Sequence, residues 1–228
     1  DGKCVRLIKG DYSQKTIYNQ DPLEVALQFE DAGLQRLHLV DLDGAKAGDV
    51  KNWKVLEKIA GKTKLSIDFS GGISTQNNLE ITFNSGATFA SIGSIAVKDE
   101  FTFTGWLLAY GEDKFIIGAD VKEEQILIKG WTESTSLTVF ELIDKYKLKG
   151  VKQFFCNDIS KDGLLEGPSV DLYNKIINEH PSIDLIASGG VSTIKDLEEL
   201  REVGCSGAII GKAIYENKIL LTDLKKFL

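Results

Sequence analysis

The chain has 228 residues, 43% hydrophobic and 27% charged, without a low-complexity tract or a Pro/Gly-rich linker, which is ordinary globular composition with material for a large core. Its net charge of −7 argues against a nucleic-acid-coating surface, so an anionic ligand has to be held by local amides and a few cations. No run approaches the roughly 18 apolar residues of a membrane span and no signal-like segment opens the chain, while an odd number of cysteines without a CxxC pair suits a reducing cytosol, so a cytoplasmic protein is expected.

In chain order, DGKCVRLIKGDY opens with a short apolar alternation that reads by pattern as a strand or a hairpin arm. Pro22 to Leu34 starts on proline, carries apolar residues at helical spacing and has a glycine near its stop, which predicts a helix. RLHLVDLDGAKAGD is a buried strand running into an acidic loop with Asp41, Asp43, Gly44 and Gly48. His38, inside that apolar run, is expected to be a satisfied core residue. A helix from about Asn52 to Ala60 leads to KLSIDF and then to Ser70-Gly71-Gly72. Beyond FASIGS, a helical stretch with Trp106 and Leu107 precedes KFIIGAD, a strand ending at Asp120. KEEQILIKGW reads as a hairpin, SLTVFELIDKYKLKG as an amphipathic helix, and VKQFFCNDISKDGLLEGP as a second strand ending in an acidic glycine loop. PSVDLYNKIINEH is a Pro-started helix before Ser188-Gly189-Gly190, and GAIIGK closes the series.

The chain repeats itself. Gly189 follows Gly71 by 118 residues, and Gly211 follows Gly93 by the same 118. Each copy reads strand, glycine turn, helix, strand, glycine turn, so one half-domain is used twice. Alternating strands and helices call for a parallel sheet, and a twofold repeat points to a (β/α)8 TIM barrel of two half-barrels, about 1–111 and 112–228, in a single domain. A doubly wound open sheet is the alternative. Glycine turns let backbone amides approach a ligand, and helix starts favour anions, so two phosphate sites are expected. One is Gly71, Gly72, Gly93 and Ser94; the other is Gly189, Gly190, Gly211 and Lys212. The competing explanation is that the glycines only make tight turns. Cys4, Cys156 and Cys205 form no CxxC pair and cannot combine with His38 and His180 into a zinc site, so no metal is expected. The chain contains no Met, so Asp1 is expected to lie inside a longer gene product.

DGKCVRLIKGDY, HLVDLDGAKAG, the SGGI/SGGV pair, GADVK, KGW, NDISKDGLLEGP and IIGKAIYE together resemble the histidine-biosynthesis isomerase family that converts phosphoribosylformimino-aminoimidazole carboxamide ribotide to its ribulosyl isomer. The resemblance covers essentially the whole chain. It implies a (β/α)8 barrel, no cofactor, and a bisphosphorylated small molecule as the partner of a monomer, with no nucleic acid or membrane. The implied reaction is an Amadori rearrangement run by carboxylate acid and base. By the GADVK match Asp120 takes the proton-donor role, which calls for a raised pKa. The base of the family lies in a first strand upstream of the DGKCVRL match, so the resemblance assigns Lys3 to Ile8 to the following loop and places the base before Asp1. By the same carry-over Arg6 contacts a phosphate, Trp131 stacks on the imidazole carboxamide, and Asn157 and Asp162 line the same rim. Asn157 stands where the family usually has Thr, and Ser70 where it often has a third Gly. Two other readings stay open: the related imidazole glycerol phosphate cyclase barrel, which works with a glutaminase, and a non-catalytic sugar-phosphate binder.

Overall fold

A computed structural model describes residues 2–8 and 11–228, with the side chains of residues 8 and 11–14 outside the description. By its contacts the chain divides into Asp1–Ile92 with Leu221–Leu228, and Gly93–Leu220. In the first unit, β1 (Cys4–Ile8) and β2 (Asp11–Asn19) form an antiparallel hairpin. Next come α1 (Pro22–Asp31), β3 (Arg36–Val40), α2 (Leu42–Ala47), α3 (Trp53–Ala60), β4 (Ser66–Ser70), α4 (Gln76–Asn84) and β5 (Phe89–Ile92). The strands β3, β4 and β5 pair in parallel, in chain order.

The second unit contains α5 (Ser94–Lys98), α6 (Glu100–Tyr110), β6 (Phe115–Lys122), β7 (Gln125–Ile128), β8 (Glu133–Thr138) and α7 (Val139–Lys147). It continues with β9 (Gln153–Asp158), α8 (Val170–Glu179), β10 (Asp184–Ser188), α9 (Ile194–Glu202), β11 (Gly207–Ile209) and α10 (Lys212–Tyr215). Here β6, β9, β10 and β11 are parallel, again in chain order, while β7 and β8 extend β6 as an antiparallel meander. Within each unit the order never reverses, whereas a doubly wound sheet needs a reversal at its switch point. The fold class is the (β/α)8 barrel. Among the described residues no helix is long and apolar enough to cross a membrane.

The strands follow from their residues. FIIGADVK is buried along nearly its whole length, as a strand covered on both faces must be. Gly118 is required within it, because a Cβ there would stand 2.3 Å from the Phe155 ring of β9. Three expectations need correction. The acidic loop after β3 is helical, since Asp41 caps α2 by accepting from the Gly44 amide and Gly48 ends it at φ 66°. Pro168 lies outside α8, which begins at Val170. The segment 136–150 gives its first residues to β8, and Thr138 starts α7 through a capping box with Glu141. The opening segment is a hairpin arm, as its alternation suggests, and β2 is the partner arm that the alternation by itself does not identify.

His38 is satisfied, as expected, but it is half-buried rather than in the core. Register places it opposite Asp68 of β4, where its Nδ1 meets Oδ1, and Ser91 Oγ donates to the same oxygen at 2.9 Å. Burial alone would raise the Asp68 carboxyl, but the His38 charge and the two hydrogen bonds outweigh it and hold the group below the usual carboxylate range. A depressed folded-state pKa stabilises the fold above the unfolded value of about 3.9, and that contribution is lost as pH falls through the folded value. Urea unfolding at pH 7 should therefore show Asp68→Ala destabilised by about 3–5 kcal/mol, since it strands a buried partner. The gap between wild type and variant should narrow once the pH drops below about 4; a pH-independent gap would contradict the assignment.

Candidate active site

In a barrel of this class the chemistry lies at the C-terminal ends of the parallel strands. In the second unit those ends place Asp120 (β6), Asn157 (β9), Ser188 to Gly190 (β10), and Gly211 with Lys212 (after β11). Parallel register sets Asp120 opposite Asn157, and Asn157 Nδ2 donates to Asp120 Oδ1 at 2.9 Å. Asp120 is half-buried and Asn157 is buried. Asn157 is therefore a direct partner of the candidate acid.

The loop after β9 is closed by Asp158, which accepts from Ser160 N (2.9 Å), Ser160 Oγ (2.7 Å) and Ser169 Oγ (2.5 Å). It folds onto the second glycine turn, where Gly167 N donates to Gly190 O at 3.1 Å. Lys212 Nζ donates to Gly163 O of the same loop at 2.9 Å and lies 3.6 Å from Glu216, so this cation grips the loop. Asp162 sits half-buried in that loop. At the end of β10, Tyr173 donates to Ser188 O at 2.6 Å. Ser94 Oγ accepts from Lys129 N at 3.0 Å, which anchors the loop carrying Trp131. Lys129, Gly130 and Trp131 all have positive φ (55°, 60° and 70°), a strained run of the kind that persists where the surroundings impose it.

In the first unit Arg6 lies half-buried on β1, opposite Thr16, and Gly71 and Gly72 follow β4. Asp41 is spent on structure: its carboxylate accepts from Gly44 N (2.9 Å), Lys51 N (2.7 Å), Asn52 N (2.8 Å) and Asn52 Nδ2 (2.6 Å).

The glycine pairs have a packing reason of their own. A Cβ on Gly71 would stand 2.2 Å from Asp41 O, and one on Gly190 2.2 Å from Gly167 O. Helix starts contribute less to anion binding than the sequence suggests, because α4 and α9 cap themselves. Asn78 Oδ1 accepts from the amides of Ser74 and Thr75, and Asp196 Oδ2 from those of Ser192 and Thr193. Burial would raise the Asp196 carboxyl, but these amides and the Ser192 and Thr193 hydroxyls hold it below the usual range. The helices after Gly93 and Gly211 have only five and four residues. What remains for a phosphate is the turns themselves: among the described residues no hydrogen bond uses the amides of Gly71, Gly72, Gly189 or Gly190. Cys156 is wholly buried, and burial first, then Asp158 and Asp120, pushes its thiol up, which removes it as a nucleophile.

The family profile described as "Histidine biosynthesis protein" matches residues 1–220. A protein of Flavobacterium psychrophilum named 1-(5-phosphoribosyl)-5-((5-phosphoribosylamino)methylideneamino) imidazole-4-carboxamide isomerase is 53% identical over 228 residues, covering 100% of this chain and 95% of the relative. Relatives with the same name in Parabacteroides distasonis (52%) and Azobacteroides pseudotrichonymphae (54%) align over 227 residues with the same coverage.

The loop-on-turn contact can be tested with two glycines. Gly167 has φ 87° with nothing within 4 Å of an added methyl, whereas Gly190 has φ 81° and meets the Gly167 carbonyl. Gly167→Ala should cost about 1–2 kcal/mol from the left-handed backbone alone. Gly190→Ala should cost about 1–3 kcal/mol more from the clash. Thermal unfolding of both variants checks this, and equal losses would show that the contact does not constrain the turn.

Proposed function

The chain belongs to the histidine-biosynthesis protein family, and from that premise we propose that it is the aldose–ketose isomerase of the family, acting on the phosphoribosyl-imidazole-carboxamide substrate for which its relatives are named. The observation that carries this reading is identity of about half over the full chain. We take residues 1–228 as one catalytic domain, a monomer of the cytoplasm, where its free cysteines stay reduced.

The roles follow from chemistry. Asp120, protonated, gives its proton to the furanose ring oxygen as the C1–O bond breaks and the amine nitrogen lone pair forms the C1=N bond. Loss of the C2 proton to a base then gives the enol amine. Ketonisation adds a proton at C1 and removes that of the C2 hydroxyl, so atoms and charge balance and no cofactor is consumed. Neither Asp41 nor Asp158 is suited to be the base, since both carboxylates are committed to loop amides and hydroxyls. Asn157 positions Asp120. The turns Gly71–Gly72 and Gly189–Gly190, with Gly93, Ser94, Gly211 and Lys212, hold the two phosphates through backbone amides and one cation. Arg6 adds a phosphate contact, and Trp131 offers a ring face to the imidazole. Asp162 binds the substrate from its loop at the rim without transferring a proton.

Asp120→Asn should keep the fold, because its amide oxygen can still accept from Asn157. It removes the transferable proton, so kcat should fall about 10²- to 10⁴-fold with little change in KM. Asp162→Asn, assayed alongside, should retain most of kcat. Turnover of Asp120→Asn within about threefold of wild type, with Asp162→Asn inactive, would exchange the two roles. Turnover that requires ammonia or a glutaminase would instead favour the cyclase reading, and phosphate binding without turnover the non-catalytic one.

A further inference from the structure

His180 is the C-cap of α8, its backbone N–H bonded to Ile176 O at 2.8 Å. The residue is 2% exposed, yet neither ring nitrogen has a hydrogen-bond partner. The Phe140 ring packs beside it at 6.3 Å. Nδ1 lies 3.6 Å from Asp144 Oδ1 on α7, too far for a hydrogen bond. Glu179 stands next to His180, and one ligand atom from each of Asp144, Glu179 and His180 lies within 4.8 Å of the others. Asp144 and Glu179 are exposed, and among the described residues neither has a Lys or Arg ion-pair partner. A buried, unsatisfied imidazole facing two carboxylates without cations is the arrangement a cation completes.

We propose that Asp144, Glu179 and His180 form a site for one divalent ion of the zinc class. Two ligands about 2.0–2.2 Å from zinc at the tetrahedral angle lie about 3.3–3.5 Å apart. The 3.6 Å between His180 Nδ1 and Asp144 Oδ1 therefore admits the ion with little movement. Exposed Glu179 turns in as the third ligand, and water takes the fourth position. An imidazole with two carboxylates suits Zn²⁺ or Co²⁺ and disfavours Mg²⁺ and Ca²⁺, which prefer oxygen alone. The expectation of no metal rests on the scattered thiols; this set needs no thiol and uses carboxylates instead. Since α8 runs back from the C-terminal end of β9, its last residues sit at the end of the unit away from Asp120 and Asn157. The ion ties α7 to α8 and takes no part in the isomerisation.

The test uses the full chain carrying Cys4→Ser and Cys205→Ser, so that partly exposed thiols do not compete. Titration calorimetry with ZnCl₂ should show one equivalent bound, and CoCl₂ should produce the strong visible absorption of tetrahedral Co²⁺. Asp144→Asn with Glu179→Gln, both at exposed positions, should leave circular dichroism and isomerase turnover unchanged while weakening zinc binding at least about tenfold. Absence of saturable binding at one equivalent would mean that water satisfies His180, and undiminished binding by the double variant would place zinc elsewhere. Either result overturns the proposal.

Discussion

The close approach of each glycine turn to the loop before it is the constraint on which the strand ends depend. Gly71 abuts the Asp41 backbone and Gly72 that of Asp49, while Gly189 abuts Asp158 and Gly190 abuts Gly167. A side chain at any of these positions would drive the loop off the turn. Register carries the correspondence further, since Val40 pairs with Ser70 and Asn157 with Ser188. Asp41 and Asp158 are then the next residue in each half, and each carboxylate ties down its own loop. The duplication thus covers a loop, the carboxylate that closes it and the turn beneath. Glycines demanded by packing leave amides that no other described group uses, and these are the amides to which we assign the phosphates.

The same packing governs which features are legible in the sequence. Helices with apolar stripes and buried strands announce themselves by period, and the repeat is visible because packing preserves its glycines. The short helix α2 has no period to show. Its caps, Asp41 and Gly48, are residue types that serve a loop equally well. The pair of His38 and Asp68 is half legible. An apolar context implies a satisfied histidine, but its partner is 30 positions away and only parallel register brings the two together. Lys212 shows the opposite case. Its place after Gly211 suggests an anion ligand, and the fold also gives it the Gly163 carbonyl, 49 residues distant. Local sequence reports what a side chain can do, whereas the topology decides what it meets.

The same limit applies to the helix starts. A Thr followed three residues later by Asn or Asp is a capping signal, and it competes with anion binding for the same amides. In the second half the competition is won by a carboxylate, Asp196, which already supplies negative charge to the start of α9. The phosphate that we propose at this end is left with the turn amides and Lys212, where position is fixed by backbone rather than by the helix dipole.

Asn157 marks a difference between the two halves beside the acid that we propose. The first half has Val40 at the corresponding register position, and the second has an amide facing Asp120. Its Nδ2 donates to Asp120 Oδ1, while its own Oδ1 is buried with no hydrogen-bond partner. An acid that cycles between carboxylate and carboxyl needs a neighbour that can donate in one state and accept in the other. A cation would favour the carboxylate alone, and a second carboxylate the carboxyl alone. An amide carries both functions on one planar group without net charge, so a half-turn about its terminal bond exchanges donor for acceptor. In the role that we propose for Asp120, the unpartnered Oδ1 is the acceptor that such an exchange brings into use.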